Sequence, residues 1–232
     1  MHPHHSKKPD PVSNPSTEVG SGTPDLFLFD FDGTVADTLD ISHGILNELA
    51  AEFGFRTLSR GELPHVRTLG TRDFIRHLGI STWKIPKISR RGLRLLQDRI
   101  SEVRPIAGMP EVLQILHSRG HRIGVLTSNS ETNVLAFIAG NRLPYFHFVR
   151  SSSKLFGKSR EMRRIAKAQK TDPSRVLYVG DETRDIEAAR EAGLRVAAVS
   201  WGYNAAETLA SLSPDHLLHS PGELLQFADS SR

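Results

Sequence analysis

The sequence predicts an α/β fold: a parallel sheet between two helical layers, with an all-helical segment inserted after the first strand. Three observations predict it. From residue 105 onward, strand-like apolar runs alternate with helical patterns, the signature of βαβ units. The runs, such as Arg122–Thr127 and Arg195–Val199, lack in/out alternation, as strands covered on both faces do. Between about 37 and 104 the chain shows helical periodicity and no run of β-branched residues.

The elements follow in order. Residues 1–24 are rich in Pro, Ser, Thr and Gly, carry His2, His4 and His5, and read as a disordered leader. Leu26 to Phe31 is the first strand. A helix is expected from Thr38 to Phe53, because Ile41, Ile45, Leu46 and Leu49 share a face and Gly54 can end it. More helical pieces are expected over 61–69, 71–78 and 89–103, with Pro64, Gly79, Pro86 and Pro105 as punctuation. Helices are then predicted at 111–119, 131–138, 159–169, 185–191 and 205–210, and a last helical piece at 222–227. Strands are predicted at 122–127, 146–149, 175–180, 195–199 and 216–219. The organisation expected is a leader (1–24), a Rossmann-like three-layer core (25–36 and 105–232) and a helical insert (37–104).

Composition narrows the function. The chain has 232 residues, 38% apolar and 24% charged, which suits a soluble globular protein. No apolar run approaches the roughly 20 residues of a membrane span, and the start lacks the apolar centre of a signal peptide, so a cytoplasmic setting without membrane contact is expected. Cysteine is absent, which excludes a disulfide framework and thiol catalysis. The net charge is +4 and the pI about 9.6. Lys and Arg are dispersed and not interleaved with aromatics, which argues against nucleic acid; a basic balance also draws in small anions.

The most informative stretch is Asp25-Leu26-Phe27-Leu28-Phe29-Asp30-Phe31-Asp32-Gly33-Thr34. A buried strand ends in two carboxylates one residue apart. Strand residues i and i+2 share a face, and Gly33 permits a sharp exit. Two acids this close are unfavourable unless a cation or a substrate proton offsets them. Later strand ends and helix starts carry Thr127-Ser128-Asn129, Lys154 with Lys158, and Gly180-Asp181-Glu182-Thr183-Arg184-Asp185. Taken singly, Ser128 and Asn129 read equally as a helix cap, Lys158 as a solvated lysine, and Asp181 and Asp185 as acids at a positive helix end. Together they suit one site, because ligands of open α/β sheets bind beyond the carboxyl ends of the strands. Carboxylates from two strands form a hard oxygen site fit for Mg²⁺. A lysine and a small hydroxyl can hold phosphate oxygens, and a carboxylate can act as nucleophile. Two like unit charges at 4 Å repel by about 4 kcal/mol at an effective dielectric of 20, so the attack requires the cations.

These motifs resemble those of the haloacid dehalogenase superfamily, over Asp25 to about Phe227. Asp30-Phe31-Asp32-Gly33-Thr34 matches its first motif, Ser128-Asn129 the second, Lys158 the third, and Gly180-Asp181 with Asp185 the fourth. The helical insert, with its tract Leu78-Gly79-Ile80 and Trp83-Lys84-Ile85-Pro86, resembles the cap of the phosphoglycolate phosphatase-like branch. The resemblance implies that Asp30 attacks phosphorus, and that Asp32 protonates the leaving oxygen and then activates water. It implies that Mg²⁺ is held by the Asp30 carboxylate, the Asp32 backbone carbonyl and Asp181. Asp185 would support the metal shell or orient Lys158. Ser128 and Asn129 would bind the phosphoryl group, with Ser128 chosen over Thr127 because the family's hydroxyl directly precedes Asn. Lys158 would neutralise charge.

Glu182 is an extra acid relative to many family members, facing solvent or reaching the metal through water. Asp32 argues against dehalogenation, because halide leaves unprotonated. Lys84 and Lys87 sit in no pattern that suggests a Schiff-base lysine. Arg67 and Arg72, flanking Gly70, are candidates to hold a substrate carboxylate. Trp201-Gly202-Tyr203 would pack beneath the cap or line the way in. The function implied is a Mg²⁺-dependent phosphatase for a small phosphorylated metabolite, phosphoglycolate being the substrate the branch suggests. A phosphomutase of the same superfamily and a non-catalytic relative that binds a protein or nucleotide are the alternatives.

Overall fold

The computed structural model describes residues 22–152 and 157–228. Most of the expected leader and Lys154 lie outside those residues. In chain order the elements are β1 (Leu26–Phe29), β2 (Ala36–Asp37), α1 (Leu39–Phe53), α2 (Leu63–Val66), α3 (Thr71–His77), α4 (Ile85–Asp98), β3 (Arg104–Pro105), α5 (Met109–Ser118), β4 (Arg122–Thr127), α6 (Glu131–Gly140), β5 (Phe148–Ser151), α7 (Lys158–Ala168), β6 (Val176–Gly180), α8 (Thr183–Ala192), β7 (Arg195–Val199), α9 (Ala206–Ala210) and β8 (His216–Leu218). A 3₁₀ helix, Pro221–Phe227, follows.

Six strands form one sheet in the order β5-β4-β1-β6-β7-β8, and every pairing is parallel. Parallel strands need crossovers, and the helices that supply them cover both faces. The side chains of β1 divide accordingly. Phe27 and Phe29 join a core cluster with Met109, Val112, Leu113 and Leu116 of α5 and Val134 and Phe137 of α6. Leu26 and Leu28 join a second cluster with Met162 and Ile165 of α7, Ile186 and Ala189 of α8, and Leu209 of α9. The period-2 alternation of a strand thus builds a three-layer sandwich on a wholly apolar β1.

β1 sits in the middle of the sheet, and the chain leaves it through a tight turn. The N–H groups of Val35 and Ala36 both donate to the Phe31 carbonyl, at 3.0 Å each. β2 then pairs antiparallel with β3, Ala36 opposite Pro105 and Asp37 opposite Arg104. This two-residue ribbon was not expected: strands so short leave no periodic signal. Between its halves the chain is helical. α1 and α4 pack closely, and a Cβ at Gly92 of α4 would lie 3.3 Å from Leu49 Cδ1. Leu58, Val66 and Leu78 make a small core of their own beneath.

Helix boundaries differ from expectation where proline was read as a stop. α4 begins at Ile85 and holds Pro86 in its first turn, where the missing N–H is one that no intrahelical carbonyl would have bonded. No helix among the described residues is long and apolar enough to cross a membrane.

Candidate active site

The site forms where β1 and β6 end. Asp30 keeps the parity of Leu26 and Leu28, which is the side covered by α7 and α8. Those two helices begin at the same end of the sheet. Lys158 is the first residue of α7 and Asp185 lies in the first turn of α8. The Lys158 ammonium is 2.6 Å from Asp30 Oδ2 and 2.7 Å from Asp185 Oδ1. It also lies 5.4 Å from the centre of the Tyr178 ring. All three ionic groups are buried. Asp181, at the end of β6, is fully buried beside them. One carboxylate oxygen each from Asp30, Asp181 and Asp185 lie within 4.8 Å of one another.

Each acid is oriented by hydrogen bonds. Asp30 Oδ1 accepts from the Phe31 N–H at 2.8 Å. Asp181 accepts from the Thr34 hydroxyl at 2.6 Å and from the Tyr203 N–H at 2.7 Å. Asp185 Oδ2 accepts from the Glu182 N–H at 3.1 Å, half of a capping box at the start of α8. Asp32 stands apart from the three clustered acids. Asn129 Nδ2 holds both of its oxygens, at 3.2 and 3.1 Å. The Asn129 amide is itself fixed, its Oδ1 accepting from Ser130 N–H and Asn133 Nδ2. Thr127 Oγ1 accepts from the Asn129 N–H at 3.0 Å, so this hydroxyl braces the strand end. Ser128 lies half-buried between the two.

Two glycines let the backbone close tightly on Asp181. Gly33 takes φ +74°, and a Cβ there would meet Asp181 Oδ2 at 2.4 Å. A Cβ at Gly202 would lie 2.2 Å from the same oxygen.

The electrostatics follow from burial. Burial raises Asp30 to about 7, against the pull of Lys158 and with a further push from Asp185. Burial raises Asp32 to about 6, although the Asn129 hydrogen bond opposes it. Asp181 is held well above the usual carboxylate range by burial, then by Glu182, Asp30 and Asp185. Burial pushes the Lys158 ammonium down, but Asp185 and Asp30 outweigh it and leave it raised. A set of hard oxygens in which the charged carboxylate is disfavoured fits a small divalent cation, which would offset that charge.

The structure therefore brings together Asp30, Lys158, Asp181 and Asp185, with Asp32 and Asn129 alongside. Other expectations fall differently. Glu182 neither faces open solvent nor joins the acid cluster; it is mostly buried and paired with Arg184. The Arg67 side chain turns to the loop after β7, its Nη2 donating to the carbonyls of Ser200 at 3.1 Å and Gly202 at 2.9 Å. Arg72 is exposed at the start of α3. Trp201 packs against the core, its indole N–H donating to the Thr34 carbonyl at 3.1 Å. Thr34 and Asn204 were not anticipated as site residues, and Tyr203 was expected beneath the helical segment or on the way in, not on Asp181. Thr34 stood inside the first motif, whereas Tyr203 acts on Asp181 through its backbone N–H, which no side-chain pattern reveals.

A parallel sheet with a lysine and acids gathered beyond its strand ends defines an α/β protein with a charged site at the carboxyl edge of its sheet, and comparison with known proteins gives the family. The family model described as haloacid dehalogenase-like hydrolase matches residues 27–199. The chain belongs to that family. Its relatives place it in the phosphoglycolate phosphatase-like branch. It is 36% identical over 200 residues to the phosphoglycolate phosphatase of Synechococcus elongatus, covering 86% of this chain and 94% of that one. It is 28% identical over 218 residues to the N-acetylmuramic acid 6-phosphate phosphatase of Pseudomonas aeruginosa, covering 87% and 93%. Among solved structures, CbbY from Rhodobacter sphaeroides in complex with phosphate superposes with a TM-score of 0.68 at 24% identity, over 87% of this chain and 96% of that one. A haloacid dehalogenase-like hydrolase from Streptococcus pneumoniae does so with a TM-score of 0.73 at 18% identity, over 88% and 98%. These two show a shared fold.

Proposed function

We propose that the chain is a Mg²⁺-dependent phosphatase that hydrolyses small phosphomonoesters through an aspartyl-phosphate on Asp30, with phosphoglycolate as its substrate. The observation that carries this reading is the buried Lys158 ammonium set between Asp30 and Asp185 with Asp181 alongside. Asp30 lies at the end of the central strand and presents a carboxylate beside a fixed cation, as an attacking nucleophile requires. Asp30 and Asp181, with the Asp32 backbone carbonyl, would hold Mg²⁺, with Asp185 in support. The ion would supply the positive charge that lets a carboxylate meet a phosphate dianion.

The chain's own groups account for the proton and charge transfers. Asp30 attacks phosphorus, and the bond from phosphorus to the leaving oxygen breaks. Asp32 gives that oxygen a proton. It then takes a proton from water, which attacks phosphorus and frees Asp30 and inorganic phosphate. A value of about 6 suits a group that must both give and take a proton near neutral pH. Asn129 keeps the Asp32 carboxyl aimed, and Ser128 and Asn129 receive the phosphoryl oxygens. Lys158 offsets charge on Asp30 and phosphate.

The helical segment between β2 and β3 acts as a cap that selects the leaving group. Arg67, with Nη2 on backbone carbonyls, and Arg72, exposed at the start of α3, are the candidate readers of a substrate carboxylate. The relative at 36% identity is a phosphoglycolate phosphatase, which supports a small phosphorylated metabolite as the substrate. Release of inorganic phosphate from a panel of phosphorylated metabolites with Mg²⁺ tests the reading. Phosphoglycolate is expected to give the highest kcat/KM, and Asp30→Asn to abolish turnover; turnover surviving in that variant would refute Asp30 as nucleophile.

A further inference from the structure

The six residues after β7, Ser200–Ala205, bond in two directions at once. Toward the acids, the Tyr203 N–H donates to Asp181 Oδ2 at 2.7 Å and the Asn204 N–H to the Asp181 carbonyl at 3.2 Å. Toward the helical segment, the Ala205 N–H donates to the Arg67 carbonyl at 2.9 Å, and the Tyr203 hydroxyl donates to Ser42 Oγ at 2.7 Å. Arg67 returns two bonds from its guanidinium to the carbonyls of Ser200 and Gly202.

Asn204 stands at the centre of this traffic. It is buried, and its side chain is used on both ends. Oδ1 accepts from the N–H of Thr183, the first residue of α8, at 2.9 Å. Nδ2 donates to the carbonyls of Arg67 at 3.1 Å and Leu69 at 2.9 Å. The amide therefore fastens the helix that carries Asp185 to the segment that leads into α3. Only a side chain with an acceptor and two donors on one short plane can do both.

We infer that Asn204 is a positioning residue that couples the docked pose of residues 67–69 to the start of α8, with Arg67 as its strut. Docking of the helical segment is thereby registered at the two acids that flank the start of α8, Asp181 and Asp185. A segment that lifts away must break the two Nδ2 bonds, the Ala205 bond and the Arg67 bonds together.

Asn204→Asp separates the two halves of the role. The variant is nearly isosteric, keeps an acceptor for Thr183, and sets a carboxylate against two carbonyls. Hydrogen exchange and kinetics read the result, and only the kinetic readout rests on the proposed phosphatase chemistry. In Asn204→Asp the Ala205 amide is expected to exchange at least about tenfold faster while the Thr183 amide keeps its wild-type rate. KM for phosphoglycolate is expected to rise about tenfold, with kcat changed less than about threefold. In Asn204→Ala both amides are expected to speed up, and kcat to fall as well. Arg67→Met, further from the acids, serves if either Asn204 variant fails to fold, and is expected to raise Ala205 exchange and KM in the same direction. A purely structural Asn204 would lower Tm in all variants and leave KM unchanged. Wild-type Ala205 exchange in Asn204→Asp, or in Arg67→Met where that stands in, would overturn the coupling whatever the activity.

Discussion

The Lys158 ammonium lies 2.6 Å from Oδ2 of Asp30, and both groups are buried. Neither charge could stay buried alone, since an unpaired ion in a protein interior is strongly disfavoured. The proposed nucleophile and its counter-ion are therefore a folding unit as well as a chemical one.

Replacing Lys158 by Met would leave Asp30 and Asp185 buried without their cation. Breaking one side of a buried pair typically costs about 3–5 kcal/mol. Loss of that order is expected in urea unfolding of the metal-free protein, with kcat lowered by at least about a hundredfold. A variant as stable as the wild type would show that the acids find another counter-charge.

The raised acids set a pH dependence. Asp30 sits at about 7 and Asp32 at about 6, against an unfolded value of 3.8. The folded state holds these protons more tightly than the unfolded chain. Their contribution to stability is therefore complete below about pH 4 and is lost as pH rises through 6 and 7. Without divalent cation, Tm is expected to fall between pH 5 and pH 8 from these groups. Mg²⁺ takes the ionised carboxylates, so it should raise Tm more at pH 8 than at pH 5. Thermal melts at both pH values, with Mg²⁺ and with EDTA, measure the difference.

Asp32→Asn keeps the shape of the side chain and removes its proton chemistry. A fall in kcat of about 10²–10⁴ is expected for phosphoglycolate. An aryl phosphate whose leaving group departs unprotonated should lose less in a single-turnover burst than in steady-state turnover, because dephosphorylation still needs the base. Equal losses in both would remove Asp32 from the leaving-group step.

Gly202→Ala would place a methyl 2.2 Å from Asp181 Oδ2, and that carboxylate has no room to retreat. Overpacking of this kind typically costs about 1–3 kcal/mol. The expected signature is a lower Tm together with a weaker Mg²⁺ dependence of activity. An unchanged metal requirement would mean that the loop yields instead of Asp181.

The core elements were legible because each carries a strong local signal. Arg122–Thr127 and Arg195–Val199 are unbroken apolar runs, and the structure gives both with those bounds. Gly54 and Gly193 end α1 and α8 in the left-handed conformation that marks a helix stop. Of the site, the convergence of Asp30, Lys158, Asp181 and Asp185 was readable, because a parallel sheet sends strand ends and helix starts to one edge. The partner of the Asp32 carboxyl was not: the turn after Phe31 hands it to Asn129, far away in the chain. The contacts of Arg67 were hidden for a similar reason, since a guanidinium bonded to backbone carbonyls looks in sequence like one awaiting a ligand. Backbone donors such as Tyr203 N–H left no trace at all.

The ribbon of Ala36–Asp37 with Arg104–Pro105 clamps the outgoing and returning threads side by side. Whatever is spliced between them, the strand order beneath is unaffected, because neither thread adds to or interrupts the six-stranded sheet. Lengthening or shortening the intervening helices would thus leave the sheet as it is, and would leave the acids in place only where residues 67–69 still meet the loop after β7. A lineage can remodel the insert at that junction without rebuilding the strand that carries Asp30.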